Sequence, residues 1–462
     1  MELKKKSPLV RTGGAYDDIS AILDENTFFE IGSYVGGESY ASVVCGYGSV
    51  DGALTFVFAQ DLTRDKGALG QAEVEKICST YDMAIKGGAP IIGIWKSAGA
   101  RINEGEGALS AYGKLLAKVT KASGIIPQIA VVDGVCGGMS SAAVSMFDII
   151  IASKNASLYV NPPFVLKNLG MKDAGKIEKA AKSGLVDIVC ESGAEALAKA
   201  KELVSNIPQN NAQGLFYVGG VEDDPSRPTP ELESANDAHA LLASIADCGR
   251  YTELKPDFAP EIVTALATVG YATVGVVATE HGKTLTPAAS RKAAAFISFC
   301  DNFMIPVITL VDTDGIDLSV DAENAAFAPE LSRLAAAYAG STNTKITAIV
   351  GKAYGAAYTL LGSKAVGADV VLATEGAQIS VMEPDAAVQF LYGDKIKTPA
   401  DREVRRNEWT EIHASAIAAA STGDIDDVVA PAELRARMIA ALNAFWAKAS
   451  GTACAKHSKL PF

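Results

Sequence analysis

The chain has few of the residues that build metal and disulfide sites. Its 462 residues include 7 cysteines and 4 histidines. Cys45, Cys78, Cys136, Cys190, Cys248, Cys300 and Cys454 are odd in number, scattered and mostly set in apolar segments. None forms a C-x-x-C pair, which excludes a zinc ribbon, and the pattern is that of buried thiols in a reducing compartment. His239, His281, His413 and His457 lack metal-ligand spacing, so they read as ordinary surface or core residues and no metal is expected. Positive charge is also scarce. There are 41 Lys and Arg against 54 Asp and Glu, a net charge of −13, which argues against a nucleic-acid or acidic-membrane binder as a whole. A local basic patch for a phosphate-bearing ligand fits that balance. No uninterrupted apolar run reaches the roughly 20 residues a transmembrane helix needs. The N-terminal Met1-Glu-Leu-Lys-Lys-Lys6 has no apolar core, so no secretory signal is expected and the cytoplasm is the predicted compartment.

What the chain does have is a repeated strand–turn–helix. The stretch 129–144 opens with β-branched residues that read as a buried strand, turns through Gly134, Gly137 and Gly138, and continues as small residues that read as a closely packed helix. Such a turn leaves backbone N–H groups at a helix N-terminus, which favour an oxyanion. One such turn is common in α/β proteins. Here the form recurs at 348–358, with Gly138 matched to Ala356 at an offset of 218. The lead-ins 87–99 and 303–315 match with Gly99 on Gly315, and the exits 147–153 and 367–374 match as well. Three blocks at nearly constant offset indicate a duplicated domain. The composition fits a soluble globular chain of two to three domains.

In chain order, Tyr16 to Phe29 reads as an amphipathic helix. Residues 42–60 read as a β-hairpin turned by Asp51-Gly52. A loop follows to Gly70, then a helix over 71–86 with Val74, Ile77, Tyr81 and Ile85 at helical spacing. The strand Pro90 to Ile94 ends in a small-residue loop, Lys96 to Gly105, which reads equally as a solvated turn or as a backbone-lined ligand pocket. The first copy is expected to close near Val160, followed by a helix over 194–204. Residues 208–236 are loop-like, placing the boundary between two α/β domains, 1–235 and 236–462. Helices are expected over 238–247, 286–301 and 431–447, and a strand pair over 261–278.

Several strings resemble the carboxyltransferase (β) subunits of biotin-dependent acyl-CoA carboxylases. This family includes the propionyl-CoA and acetyl-CoA carboxylases and the α subunits of methylmalonyl-CoA and glutaconyl-CoA decarboxylases. The strings are Phe56 to Asp61, Glu75 to Ile77, Gly99-Ala-Arg-Ile102 with Glu104-Gly105, Val131 to Gly138, Pro256 to Pro260, Ser290 to Ala294, Phe299 to Asp301, Lys352 to Gly355, and the tail around Lys456, His457 and Pro461. They run in the family's order from about Arg11 onward.

The resemblance implies two crotonase-like domains, each a spiral of ββα units, and a cytoplasmic homohexamer, a trimer of dimers with the active site at the dimer interface. It implies carboxyl transfer between carboxybiotin, held on a separate carrier protein, and a short-chain acyl-CoA such as propionyl-CoA or acetyl-CoA. Charge then develops on the thioester oxygen and on the biotin ureido oxygen, and each needs preorganised N–H donors. On this reading Gly138 and Met139, with Ala98 and Gly99, serve the thioester, and Ala356 and Ala357 serve biotin; the swapped assignment is equally open. Ala100, Gly137, Tyr354 and Gly355 line the two turns. Thr359 sits where the family tunes acyl size, or is an ordinary helix residue. Arg101 reaches a phosphate or carboxylate, or pairs with Glu104. No side-chain base and no metal are implied. No Ala-Met-Lys-Met motif occurs, so biotin must come on a biotin carboxyl carrier or biotin carboxylase subunit, or through membrane decarboxylase subunits. The chain departs from the family at Met139, Ala98 and Ala356, each a glycine there. The alternatives are a sodium-pumping decarboxylase subunit, a hydratase or isomerase acting alone on CoA esters, and a non-catalytic crotonase-like scaffold.

Overall fold

The computed structural model describes residues 13–36, 41–168, 170, 173–233 and 237–449. Met1 to Lys6, Arg11, Cys454 and the tail residues Lys456, His457 and Pro461 lie outside the described residues. Two compact units divide the chain, Met1–Asn211 and Ala212–Phe462.

In the first unit the strands are β1 (Phe29–Ile31), β2 (Val43–Val50), β3 (Ala53–Gln60), β4 (Ile91–Ser97), β5 (Gln128–Gly137), β6 (Ile149–Ser153), β7 (Ser157–Tyr159) and β8 (Ile188–Cys190). They pair in the order β1-β2-β3-β4-β5-β6-β8, with β7 also on β5. The hairpin β2–β3 turns at Asp51 and Gly52, both at positive φ (50° and 78°), the geometry that matches the right-handed twist of paired strands. From β3 onward the pairing is parallel. Parallel strands need crossover connections, which the helices Gln71–Gly87 and Glu106–Ala122 supply. Helical cover explains why β4 and the first half of β5 are apolar without alternation. Trp95 sits fully buried at the centre, edge-on to Phe58 and Phe147 at centroid distances of 5.4 and 5.8 Å.

The second unit repeats this plan. Its strands are β9 (Tyr251–Leu254), β10 (Ile262–Val269), β11 (Ala272–Thr279), β12 (Val307–Thr313), β13 (Lys345–Tyr354), β14 (Val370–Thr374), β15 (Gln378–Ser380) and β16 (Asp427–Val429). Their order is β9-β10-β11-β12-β13-β14-β16, with β15 also on β13. In both units the long central strand carries the same irregularity, a register shift opposite Trp95/Ser97 in one and Val311/Thr313 in the other. Both central strands begin under the same brace: Asp148 accepts the Gln128 amide and Asp369 accepts the Lys345 amide.

Register corrects the sequence alignment at one point. β5 ends at Gly137 and β13 at Tyr354, so Gly138 falls on Gly355 at an offset of 217, not on Ala356. The first copy also does not close near Val160, because β8 adds to the sheet beside β6. The N-terminal helix is shorter than expected, Ala15–Ile22, since Phe29 begins a strand against Tyr47. The chain divides at Asn211 and Ala212, inside the loop-like stretch 208–236. Residues 212–233 pack on the second unit, where the Val218 amide donates to the Tyr271 carbonyl at 2.8 Å and the Thr229 amide to the Ala432 carbonyl at 3.0 Å. Cys45, Cys136, Cys190 and Cys300 are buried, whereas Cys248 is exposed.

The two braces differ in one respect. Asp369 is paired with Lys448 at 2.7 Å. Burial, reinforced by the charge of Asp187, pushes the Asp148 carboxyl up to about 7 against the Gln128 hydrogen bond. The folded chain therefore holds this proton more tightly than the unfolded chain, so the stability it contributes is full near pH 4 and is lost as pH rises through about 7. Asp148→Asn has no proton to lose, and its amide oxygen still accepts from Gln128, so its melting temperature is expected to fall less than that of the parent between pH 5 and 8. Parallel pH profiles would refute this.

Candidate functional site

Each unit brings a strand end and a helix start together, and hydrogen bonding decides which amides face outward. In the first unit β4 runs out through Ser97-Ala98-Gly99-Ala100. The Ala98 amide donates to the Lys66 carbonyl at 3.1 Å, and the Gly99 amide donates to Ser97 Oγ at 3.1 Å. Leu69 then bridges the next two peptides: its amide donates to the Gly99 carbonyl at 2.9 Å and its carbonyl accepts from the Arg101 amide at 2.9 Å. The Gly99 carbonyl and the Ala100 amide share one planar trans peptide, so they point in opposite directions. Fixing the carbonyl on Leu69 turns the Ala100 N–H the other way.

At the helix side, the Gly138 amide donates to the Tyr159 carbonyl at 2.9 Å. Its φ of 61° and ψ of −133° belong to a region open essentially to glycine alone, and they aim the chain into the helix Met139–Val144. Met139 is the first helical residue, with no carbonyl one turn back within the helix to bind its amide. The two backbones touch: a Cβ on Gly99 would lie 3.5 Å from the Gly137 carbonyl oxygen. Gly137 itself is pressed against the Tyr159 ring, 2.8 Å from a built Cβ, which excludes a larger residue. Ala98, Gly99 and Gly138 therefore use their amides internally, and the outward pair is Ala100 with Met139.

The second unit repeats the strand-end bonds. The Asp314 amide donates to the Lys283 carbonyl at 3.1 Å and the Gly315 amide to Thr313 Oγ1 at 3.4 Å. Leu285 bridges Gly315 and Asp317 at 2.8 and 3.0 Å, which turns the Ile316 amide outward. Gly355 has a φ of 57° and leads the helix Gly355–Leu360. A Cβ on Gly315 would lie 3.5 Å from the Tyr354 carbonyl oxygen, the same approach as at Gly99. By register Ala356 stands where Met139 stands, and the buried Ala357 stands where Ser140 does. Ile316 was not among the sequence candidates. Its signal was the Gly99–Gly315 match, one residue before Ala100 and Ile316.

Side chains set the surroundings. Burial works against the Lys96 ammonium, yet Asp18 at 2.8 Å and Asp133 at 3.1 Å hold its pKa above the ordinary value. Arg101 is held by buried Glu73 at 2.6 Å, Asp65 at 3.1 Å and Glu104 at 3.6 Å. Of its two sequence readings the structure shows the ion-paired one, with Glu73 as the main partner. Met139 and Thr359 are exposed on their helices. In the second unit a cleft of about 500 Å³ adjoins the turn, lined by Lys352, Tyr354, Gln378, Glu383, Arg406 and Thr410 among others. Burial, helped by the charges of Glu383, Asp314 and Asp312, pushes the Tyr354 phenol up to about 12, so it stays protonated and donates to Gln378 Oε1 at 2.6 Å. The Asp314 hydrogen bond at 2.9 Å holds the Lys352 pKa high. Two outward amides per turn can receive the charge of one developing oxyanion without a side-chain acid.

A carboxyl transferase domain model matches residues 15–460. The propionyl-CoA carboxylase carboxyltransferase subunit of Haloferax mediterranei is 34% identical over 97% of this chain and 93% of its own length. The methylmalonyl-CoA decarboxylase subunit alpha of Propionigenium modestum is 31% identical over 100% and 98%. The crystal structure of the transcarboxylase 12S hexamer with methylmalonyl-coenzyme A and methylmalonic acid bound superposes with a TM-score of 0.89 at 32% identity, covering 97% of this chain and 92% of that one. The duplicated crotonase-like α/β fold expected from the resemblance is the fold found. Among the described residues no helix is long and apolar enough to cross a membrane. The span of the match and these nearly full-length relatives show that the chain belongs to the carboxyl transferase domain family and is an enzyme.

Proposed function

We propose that this chain transfers a carboxyl group between carboxybiotin, carried on another protein, and a short-chain acyl-CoA of the propionyl-CoA and methylmalonyl-CoA type. The observation that carries the proposal is the duplicated amide pair, Ala100 with Met139 and Ile316 with Ala356. The reaction builds charge on two carbonyl oxygens, and the chain offers one pair of outward amides for each. We assign the first pair to the thioester oxygen. There the exposed Met139 side chain borders the acyl group and favours small ones. The second pair, with Ala357 behind it, faces the ureido oxygen. The 500 Å³ cleft beside it, with the Lys352 ammonium and the Tyr354 phenol, is large and polar enough for a bicyclic urea. Carboxybiotin supplies the transferable carboxyl group. The chain's amides stabilise the charge, so no side chain has to ionise.

The sequence departures at Ala98 and Ala356 are compatible with this role, because neither is among the residues at positive φ. The carboxylates near the first turn are engaged: Asp133 with Lys96 and Ser153, Glu73 and Glu104 with Arg101. That disfavours a hydratase or isomerase acting alone. The hexamer assembly of the 12S relative supports a homohexamer; a site completed across a dimer and biotin arriving on a carrier subunit are part of the same proposal. The near-complete match to the Propionigenium modestum subunit supports a second reading, a decarboxylase subunit working with membrane partners.

Purified protein mixed with free biotin and methylmalonyl-CoA, or with malonyl-CoA, is expected to release the decarboxylated CoA ester only when biotin is present. The faster ester identifies the acyl group. No turnover with either ester, together with no CoA-ester binding by calorimetry, would leave a non-catalytic scaffold as the reading.

A further inference from the structure

The first unit contains a buried chain of hydroxyls that the described residues of the second unit lack. Tyr112 Oη lies 2.7 Å from Ser140 Oγ, Ser140 Oγ lies 3.3 Å from Ser97 Oγ, and Ser97 Oγ accepts the Gly99 amide at 3.1 Å. Tyr112 is 2% exposed and both serines are 0% exposed. Burial, opposed by the hydrogen bonds to Ser140 and Ser97, pushes the Tyr112 phenol up to about 12, so it remains a donor across the working pH range. The Ser140 hydroxyl donates to Ser97 Oγ, which leaves its oxygen to accept from the Tyr112 hydroxyl, and Ser97 uses a lone pair for Gly99 N–H. Ser140 is the second residue of the helix that begins at Met139, and Ser97 ends β4. The hydroxyls therefore tie the helix start to the strand end, the two backbones that carry the outward amides.

In the second unit the corresponding positions are Thr313 and Ala357. Thr313 Oγ1 donates to the Lys283 carbonyl at 2.8 Å and accepts the Gly315 amide at 3.4 Å. Ala357 has no hydroxyl, so among the described residues no hydroxyl links strand end to helix start there. The tyrosine on the matching helix, Tyr338, is bonded instead to Thr309 in mid-strand at 2.8 Å.

We infer that Tyr112, Ser140 and Ser97 are positioning residues that hold the Ala100 and Met139 amides in mutual register at the acyl site, and that only the acyl half of this enzyme is braced this way. The inference rests on assigning the first turn to the thioester. It has a chemical logic. An amide gains most as a donor when its direction is set before the charge appears, and a misplaced donor loses much of that gain. A hydroxyl bridge fixes the separation of the two donors, whereas apolar packing alone resists sliding only weakly.

The test uses the full-length protein, with Ser97→Ala, Ser140→Ala, Tyr112→Phe and Ser97→Thr, the last giving the first unit the residue its counterpart uses. Steady-state decarboxylation of methylmalonyl-CoA with free biotin is expected to lose about 10–100-fold in kcat for Ser97→Ala and Ser140→Ala, below the cost of deleting a donor outright. KM for either substrate should stay within about twofold, and Ser97→Thr should recover most of the rate. A second readout is the infrared stretch of a ¹³C-labelled thioester carbonyl in a bound, unreactive acyl-CoA. The parent should shift it to lower frequency, and the alanine variants should shift it less. A change in folding stability alone would leave the bound carbonyl frequency unmoved. Parent-like kcat and carbonyl shift in the alanine variants would overturn the inference. A parent that binds acyl-CoA without any carbonyl shift would instead overturn the assignment of the turn.

Discussion

Gly138→Ala is expected to abolish most carboxyl transfer while leaving the chain folded. Gly138 holds a φ of 61° and a ψ of −133° with open space where a Cβ would go, so the obstacle is backbone conformation and not crowding. An alanine forced there costs about 1–3 kcal/mol. The chain escapes that cost by rotating the peptide, which breaks the Gly138–Tyr159 bond and swings the Met139 amide off its direction. Losing one preorganised donor typically lowers kcat by about 100–1,000-fold. A donor that acts chiefly on the charge developing in the transition state lowers kcat, so KM is expected to change far less. Gly220→Ala is the matched control. Gly220 also has a positive φ, 70°, and also has nothing within 4 Å of a built Cβ, but it lies in the 212–233 segment and belongs to neither turn. It should lose stability on the same scale and keep its activity. Equal activity losses in the two variants would show that backbone strain in general, and not the aim of one amide, is what matters.

The duplication was legible in the sequence because both copies repeat the same apolar strands and small-residue turns in the same order. What misled the alignment was its anchor. Small residues at Gly138 and Ala356 look alike, but the turn is defined by positive φ, and that property belongs to Gly138 and Gly355. Ile316 escaped notice for a related reason. Thr313-Asp-Gly-Ile316 shares only its glycine with Ser97-Ala-Gly-Ala100, and a backbone donor leaves no mark on its own side chain. The hydroxyl chain was invisible because Tyr112 is distant in sequence from Ser97 and Ser140. Strands β8 and β16 have three residues each, too few for a period to show. For Arg101 the sequence offers Glu104 as the pairing partner, but Glu73, 28 residues away on the preceding helix, lies closer.

The segment 212–233 reads as linker in the sequence for the same kind of reason: what holds it comes from the far end of the chain. Arg435, on the helix Leu434–Ala444, is fully buried. Its Nε donates to the Ile245 carbonyl at 3.0 Å and its Nη1 to the Asp224 carbonyl at 2.7 Å, while Nη2 is paired with Asp247 and lies 3.5 Å from Asp223. Asp247 in turn accepts the Gly270 and Tyr271 amides at 3.0 and 2.7 Å. One guanidinium thus joins the 223–224 loop, the end of the helix Ala238–Ile245, the β10–β11 turn and the C-terminal helix. Arg435→Met keeps much of the volume but leaves Asp247 as a buried carboxylate without its counter-charge. Breaking a buried pair from one side costs about 3–5 kcal/mol. For a unit of this size that corresponds to a fall of about 6–20 °C in melting temperature. Arg435→Lys retains the charge but loses the fork that reaches two carbonyls and a carboxylate at once, so it should recover only part of the loss. Pairing Arg435→Met with Asp247→Asn removes the stranded charge and keeps an acceptor for the hairpin amides, and it should be more stable than Arg435→Met alone. A single variant that melts within about 2 °C of the parent would mean that water reaches Asp247 and that the segment is held by its backbone bonds instead.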